Sequence, residues 1–325
     1  MHKILLNAVK IRLILSPVSG FLIKGDTRGS SLLHPERPDM TAMRSRTADG
    51  EETVFIPGSS IKGVVRSAAE RVLRSLAPDS PGRLACNPLD QDGRCHREAS
   101  RKGEERSRGS RAADGPDHPM AEVHRMLCLA CRTFGSQTIA SRVRFTDAFP
   151  TAETREAANR VETRSGVSID RASGGPSRGK LFETEVVTSG RFDTQIHMEN
   201  VQLWQLALIG VTLQDIHGGL VRLGSAKTRG LGAFAVKLRE VVFRQMGEAS
   251  APRGVGDLAP GMAADYGFVR PDQLASLPAG ARRQGTGGVY SEWAWPEGSG
   301  WSLIEAAQGE PWQAMVQEMA RGAGR

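Results

Sequence analysis

The chain has 325 residues, 39% of them hydrophobic, which is enough to bury the core of one large or two modest domains and points to a globular protein. Lysine and arginine outnumber aspartate and glutamate by 43 to 36, a net charge of +7 that favours a polyanionic partner. No apolar run reaches transmembrane length, and the opening MHKILLNAVKIRLIL alternates charged and apolar residues where a signal peptide needs an unbroken apolar stretch, so a cytoplasmic protein with no membrane partner is expected. In that reducing compartment four cysteines read as metal ligands or free thiols rather than as disulfides.

From Leu6 to Leu15, Ala8, Val9, Ile11, Leu13 and Leu15 fall largely on one face of an extended chain, which predicts a first strand. Residues 17–53 hold Pro, Gly, Ser, Asp and Arg without period and are expected to form a long functional loop. FIPGSSIKGVVRSAAERVLRSL, Phe55 to Leu76, predicts the first helix: Ile61, Val64, Val65, Ala68, Val72, Leu73 and Leu76 recur at three and four, with Arg66, Glu70, Arg71 and Arg74 on the other side. Ser59 or Ser60 is the expected cap, and Pro78, Pro81 and Gly82 close the helix.

Residues 97–119 are charged, small and nearly devoid of large apolar side chains, which predicts a mobile insertion. Val143 and Phe145 alternate with Arg142 and Arg144 as in a strand, and KLFETEVVTSG (180–190) has strand character centred on Val186 and Val187. Val201, Trp204, Leu208 and Val211 keep helical spacing between Asn200 and Ile216, and His217-Gly218-Gly219 ends that helix. LVRLG and GAFAVKLREVVF return to extended character. The order strand, helix, strand, strand, helix, strand is that of a ferredoxin-like α+β fold. Beyond Met246 the chain is rich in Gly, Ala and Pro with Trp293, Trp295, Trp301 and Trp312, and is read as an appendage packed on the domain or on a neighbouring subunit.

All four cysteines fall in one window. Cys128 and Cys131 form C-L-A-C, whose two-residue spacer lets both sulfurs reach one tetrahedral ion. Cys86 and Cys95 flank the turn-rich CNPLDQDGRC, which could bring them to the same ion, with His96 and His124 as substitutes for one sulfur. Such an ion is structural, since a catalytic zinc leaves one position to water.

Two glycine-rich basic turns complete the pattern. GGLVRLGSAKTRGLGAF, Gly218 to Phe234, combines close backbone approach with Arg222, Lys227 and Arg229. The Gly58-Ser59-Ser60 turn opens a helix flanked by Lys62 and Arg66, an arrangement suited to an anion. Neither matches a nucleotide-hydrolysing P-loop, and two of them suit the repeated charge of a nucleic-acid backbone.

The set FIPGSSIKGVVRSAAE, LCLACRTFGS, VRFTDAF, GVSIDRASGGPSRGKLFETEVV and GGLVRLGSAKTRGLGAF, over roughly residues 1–245, resembles the RAMP proteins of type III CRISPR effector complexes, most closely the Csm3-like backbone subunits of the Cas7 group. The resemblance implies an RRM-like (ferredoxin-like) core carrying a zinc-binding insertion over 83–135, a β-hairpin thumb over about 150–190, and a C-terminal extension over 246–325. It implies several copies along a CRISPR RNA, with other Cas subunits and target RNA as partners. Guide contacts carry over to Ser59, Ser60, Lys62, Arg66, Arg222, Lys227 and Arg229, and thumb contacts to Arg171 with Arg164, Arg178 and Lys180. The family's target-RNA cleavage uses an aspartate ahead of the first turn with an arginine after it, which PDMTAMRSR supplies as Asp39 and Arg44, with Asp26 as rival and Mg2+ or Mn2+ as the metal. The alternatives are a non-catalytic scaffold and a CRISPR RNA-processing ribonuclease using His34. The basic insertion, the cysteines and the tail depart from the simplest Csm3 pattern and look closer to type III-D or III-E relatives.

Overall fold

The computed structural model describes residues 4–25, 38–47, 49–78, 84–87, 95, 119–285 and 288–322. Asp26, His34, His96 and the charged 97–118 stretch lie outside them, as do the side chains of Arg178 and Lys180.

Strand β1 (Asn7–Pro17) alternates as expected, burying Val9, Ile11, Leu13 and Leu15 while Lys10 and Arg12 face the other way. The 17–53 stretch is more than a loop. It carries the hairpin β2 (Arg44–Arg46) and β3 (Glu52–Val54) and the single bridges Phe21↔Val187, Lys24↔Ala42 and Met40↔Thr184, all too short for periodicity to reveal. Helix α1 (Gly58–Ser75) buries Ile61, Val65, Ala68 and Leu73. After it come α2 (Pro119–Met126), α3 (Leu129–Phe134), the short strands β4 (Val143–Phe145) and β5 (Phe149–Pro150), and α4 (Arg155–Asn159).

Strands β6 (Glu162–Ile169) and β7 (Pro176–Val186) form a two-stranded antiparallel sheet of their own. The chain then returns through β8 (Phe192–Glu199), α5 (Leu203–His217) and β9 (Phe234–Met246). It ends in α6 (Val255–Leu258), α7 (Pro260–Tyr266), β10 (Arg282–Gln284), β11 (Tyr290–Pro296), α8 (Gly300–Gln308) and α9 (Glu310–Gly322).

The main sheet is antiparallel, in the order β10-β11-β9-β1-β8-β4, with β5 also paired to β8. One expectation changes here. The strand read at 180–190 exists as β7, but it belongs to the separate hairpin, and the strand beside β1 is β8. The β-branched pair Val186-Val187 drew attention to the first segment, while the alternation of Phe192, Thr194, Ile196 and Met198, all buried, marks the second.

Helices α1 and α5 pack against each other over one face of the sheet, and α8 and α9 pack on α5. Because α5 is covered on several sides it is apolar almost all round, burying Leu203, Trp204, Leu206, Leu208, Ile209 and Leu213. The segment beyond Met246 packs on this domain by extending its sheet. β11 lies along β9 with Trp293 opposite Phe243 and Trp295 opposite Val241, and both tryptophans are buried, while Trp301 and Trp312 are half-buried. Among the described residues no helix is long and apolar enough to cross a membrane.

Two side-chain constraints hold this arrangement. A Cβ on Gly58 would stand 2.4 Å from the carbonyl oxygen of Phe145, so only glycine lets α1 start against the end of β4. Asp272, 1% exposed, accepts from Leu203 N at 2.8 Å, Gly256 N at 2.9 Å and Gln202 Nε2 at 3.2 Å, so one carboxylate serves the starts of α5 and α6.

Gly58→Ala is expected to cost about 1–3 kcal/mol, read as a lower urea midpoint with unchanged slope. Burial pushes the Asp272 carboxyl up from 3.8 to about 7, so the folded state holds its proton more tightly than the unfolded chain. The stability this contributes is complete below pH 3.8 and is lost as the pH climbs through about 7. Urea titrations should show the difference between wild type and Asp272→Asn changing across that window, and a constant difference would place the pH dependence elsewhere.

Candidate nucleic-acid interface and metal centre

The four cysteines, spread over a long sequence window, meet. Their Sγ atoms all lie within 4.8 Å of one another, and Cys86 Sγ is 3.8 Å from Cys131 Sγ. Four sulfurs at about 2.3 Å from a tetrahedral ion stand about 3.8 Å apart, so the donor set fits zinc in kind, number and spacing. The C-L-A-C turn supplies its pair by a local device: Cys128 caps α3, its sulfur accepting from Cys131 N at 3.4 Å. Hydrogen bonding among the four sulfurs lowers Cys86 and Cys128 below the usual thiol range and raises Cys95 and Cys131 above it, so the four share their protons as one group.

His124 takes no part in the cluster. Its Nδ1–H donates to Tyr266 O at 2.8 Å, which leaves Nε2 as an acceptor facing Arg142 Nη2 at 3.2 Å, the pattern of a neutral ring in a structural bridge. His96 lies outside the described residues.

Both cysteine arms are held to α1 by one buried side chain. Glu70, 8% exposed, accepts from Arg66 Nε at 2.8 Å and from Arg74 Nη2 at 3.2 Å. Arg74 also donates to Ala85 O at 3.2 Å and Cys86 O at 2.8 Å, and Arg66 donates to Gly135 O at 3.2 Å and toward Cys131 Sγ at 3.6 Å. Lys62, one turn before Arg66, lines with it a cleft of about 550 Å³ whose far wall includes Ser136, Gln137 and Ser141. Burial and then the Arg66 charge lower the Lys62 ammonium below its usual range.

The start of α1 differs from the expected cradle. Pro57 occupies the cap position with no side-chain cap, so neither Ser59 nor Ser60 caps the helix. Gly58 N–H donates to Asp147 Oδ1 at 2.7 Å, and the amides of Ser60 and Ile61 donate to Pro57 O. A carboxylate from the β4–β5 connection therefore already sits at the helix dipole, and the polar groups left at the surface there are the exposed Ser59, the half-buried Ser60 and Lys62.

The second turn is built as a tight loop against residues 20–23. Ser225 N donates to Leu22 O, Gly232 N to Gly20 O, and Leu223 N to Gly232 O. Gly232 has φ +86°, and a Cβ there would stand 2.2 Å from Leu223 O, so glycine is required. Lys227 and Arg229 are exposed on a single helical turn, while Arg222 is half-buried with Nη1 3.4 Å from Leu231 O. The Arg229 guanidinium lies 6.0 Å from the Phe182 ring centroid, over a cavity of about 240 Å³ shared with the root of the β6–β7 hairpin and bounded by Leu22, Met40 and Arg164. Arg171 is exposed in that hairpin's turn, which Asp170 closes by accepting from the amides of Ala172 and Ser173.

The two turns flank the same sheet across β9, β1 and β8. Phe234 pairs with Pro17 at the end of β1, while the α1 start lies against Phe145–Asp147, beside Gln195 of β8 and so level with Arg12, which puts the loop entering β9 and the α1 start about three strand spacings apart across the sheet and about five residues apart along it, roughly 20 Å.

Asp39 is exposed and its Oδ2 accepts from Glu183 N at 2.9 Å. Its neighbours are laid along β7: Met40 N donates to Glu183 O, Glu185 N to Met40 O, and Ala42 N to Glu185 Oε2 at 2.8 Å. Half-buried Arg44 lies 3.8 Å from the same Glu185 oxygen. Among the described residues the cysteines form the one group of three or more ligating side chains, and Asp39 belongs to none. Sequence reasoning missed Asp147, Glu70 as an anchor, and Phe182. Only Asp147, the lone acid of VRFTDAF, left a signal.

A family model described as the RAMP superfamily matches residues 24–235, a span from the loop after β1 to the start of β9. Among curated proteins none matches the chain. With more than half of its length matched, including both basic turns, the cysteines and the hairpin, the chain belongs to the RAMP superfamily.

Proposed function

We propose that the chain is a CRISPR RNA-binding backbone subunit of a type III effector complex, Csm3-like within the Cas7 group, repeated along the guide beside other Cas subunits in the cytoplasm. The observation that carries this reading is the placement of two basic turns on one sheet, about three strands apart, the second against the root of a separate hairpin. A strand bearing a phosphate at every nucleotide spans that distance with several charges.

The order β9-β1-β8-β4 with α1 and α5 on one face supports the ferredoxin-like core, and β6–β7 supports the thumb. In this reading residues 1–245 are the RNA-binding core and 246–325 an extension. Ser59, Ser60, Lys62, Arg222, Lys227 and Arg229 face the guide, and Arg171 at the hairpin tip faces the guide–target duplex. Cys86, Cys95, Cys128 and Cys131 hold a structural zinc with no position left for substrate.

Asp39 is the proposed catalytic group for cleavage of target RNA. One carboxylate oxygen is fixed by Glu183 N–H and the residue is exposed beside the hairpin, where it orients the attacking 2′-hydroxyl. A divalent Mg2+ or Mn2+ ion supplies charge neutralisation at the phosphate when bound. A second reading, a non-catalytic scaffold, is favoured by the lack of further ligating groups with Asp39 among the described residues.

Asp39→Ala in the assembled complex is expected to abolish cutting of a labelled complementary RNA in Mn2+ while the guide stays bound. Normal cutting by that variant, with loss in Asp26→Ala, would move the catalytic role to Asp26, and no products from wild type at any metal concentration would favour the scaffold. Replacing Lys227 and Arg229 by alanine should weaken single-strand RNA binding and lower the salt slope by about 0.7 for each phosphate no longer neutralised. Stripping zinc with a strong chelator should lower the melting temperature, and an unchanged melting curve would sink the metal assignment.

A further inference from the structure

The most heavily committed cation at the interface is Arg66, and its commitments do not point at RNA. Its Nε, Nη1 and Nη2 are directed at Glu70 Oε1, Gly135 O and Cys131 Sγ, at 2.8, 3.2 and 3.6 Å. A guanidinium has five N–H donors in a fixed fork, and with Nε taken the side-on bidentate grip on a phosphate is closed unless Glu70 is released, which is too buried to find water in exchange.

The charge balance points the same way. Four thiolates around a zinc dication carry two net negative charges. Arg66 touches the cluster directly. Arg132, held by Leu127 O at 2.8 Å, Gly267 O at 3.1 Å and Arg125 O, feels the charge of Cys128 and Cys95. Two guanidinium groups thus offset the cluster's two charges, and Cys86 and Cys131 themselves form part of the wall of the cleft that Lys62 faces.

We propose that Arg66 is an outer-sphere partner of the cysteine-bound metal, donating to the Cys131 sulfur and neutralising the cluster, and that Lys62 is the cation this cleft offers to RNA phosphate. This rests on the zinc and RNA readings above. It makes the cleft dependent on metal loading: without the ion the sulfur set loses its geometry, Arg66 loses its third partner, and the wall opposite Lys62 loses its support. Arg66 is therefore a positioning residue. A guanidinium is suited to the place because its fork reaches carboxylate, carbonyl and sulfur at once, which an ammonium on a flexible stem cannot do.

The test uses the full-length chain as wild type, Arg66→Ala, Arg66→Lys and Lys62→Ala, with folding verified by far-ultraviolet circular dichroism. Metal affinity is read by chelator competition, sulfur bonding by the thiolate-to-cobalt absorption band after Co2+ substitution, and RNA binding by the salt dependence of a labelled single strand. Arg66→Ala is expected to weaken metal affinity by about 10–100-fold and to move the cobalt band to lower energy, with part of the affinity restored in Arg66→Lys. When saturated with metal it should keep the wild-type salt slope. Lys62→Ala should keep metal affinity and lose about 0.7 from the slope. The proposal is overturned if Arg66→Ala or Arg66→Lys leaves the cobalt band and metal affinity at wild-type values while the slope falls. A wild type without a thiolate band overturns it together with the zinc assignment. A wild type with the band and no RNA binding overturns the RNA reading, and the metal measurements then support the Arg66 contact by themselves.

Discussion

A buried carboxylate with two arginines, one turn before it and one turn after it, organises the functional half of this protein. Glu70 would be costly inside the core if it stood alone, and the i, i+4 spacing on α1 brings Arg66 and Arg74 to its two oxygens. What matters is where the remaining donors go. Arg74 spends them on the carbonyls of Ala85 and Cys86, and Arg66 on Gly135 and Cys131, so two segments whose cysteines lie 45 residues apart are registered on one helix. The cysteine cluster and the basic cleft beside it follow from that registration.

Charge distribution separates the surface that suits RNA from the one that does not. On the sheet face away from the helices Lys10 pairs with Glu240, Arg12 with Asp193, Arg144 with Glu199 and Arg244 with Glu292. The first three pairs are exposed and add little stability, and Glu292 of the fourth is buried, but all four cancel the field a polyanion would feel. The Tyr290 ring on that side is covered by Arg244 at 5.3 Å. Lys227 and Arg229 stand on the glycine loop at the sheet end, so the proposed function assigns RNA to the edge and loops of the sheet rather than to bases stacked on its open face.

Much of the fold was legible because its main elements are long and periodic. β1, α1, α5 and β9 announce themselves through alternation or three-and-four spacing, and the family motifs sit on them or between them. Elements of two or three residues such as β2, β3 and β5 carry no period, and the period of β8 is masked by polar Thr194 at an inward position where an apolar residue would flag the strand. The cap of α1 departs from its local rule for a related reason. Ser59 and Ser60 are good capping residues by local rule, but Gly58 lets the β4–β5 connection come so close that Asp147 takes the place.

By itself the sequence determined the chemical inventory: a C-x-x-C pair with two more cysteines upstream, two glycine-bearing basic turns, an aspartate ahead of the first, and the alternation that makes an antiparallel α+β protein. Only the tertiary structure decided how those groups are used. It drew the four sulfurs together without His124, turned Arg66 inward toward one of them, and laid the Asp39 segment along the hairpin. The reason is that a side chain's partner is chosen by whichever acceptor the fold brings within reach. For these residues the acceptors are carbonyls, carboxylates and sulfurs from distant segments, which local spacing does not encode.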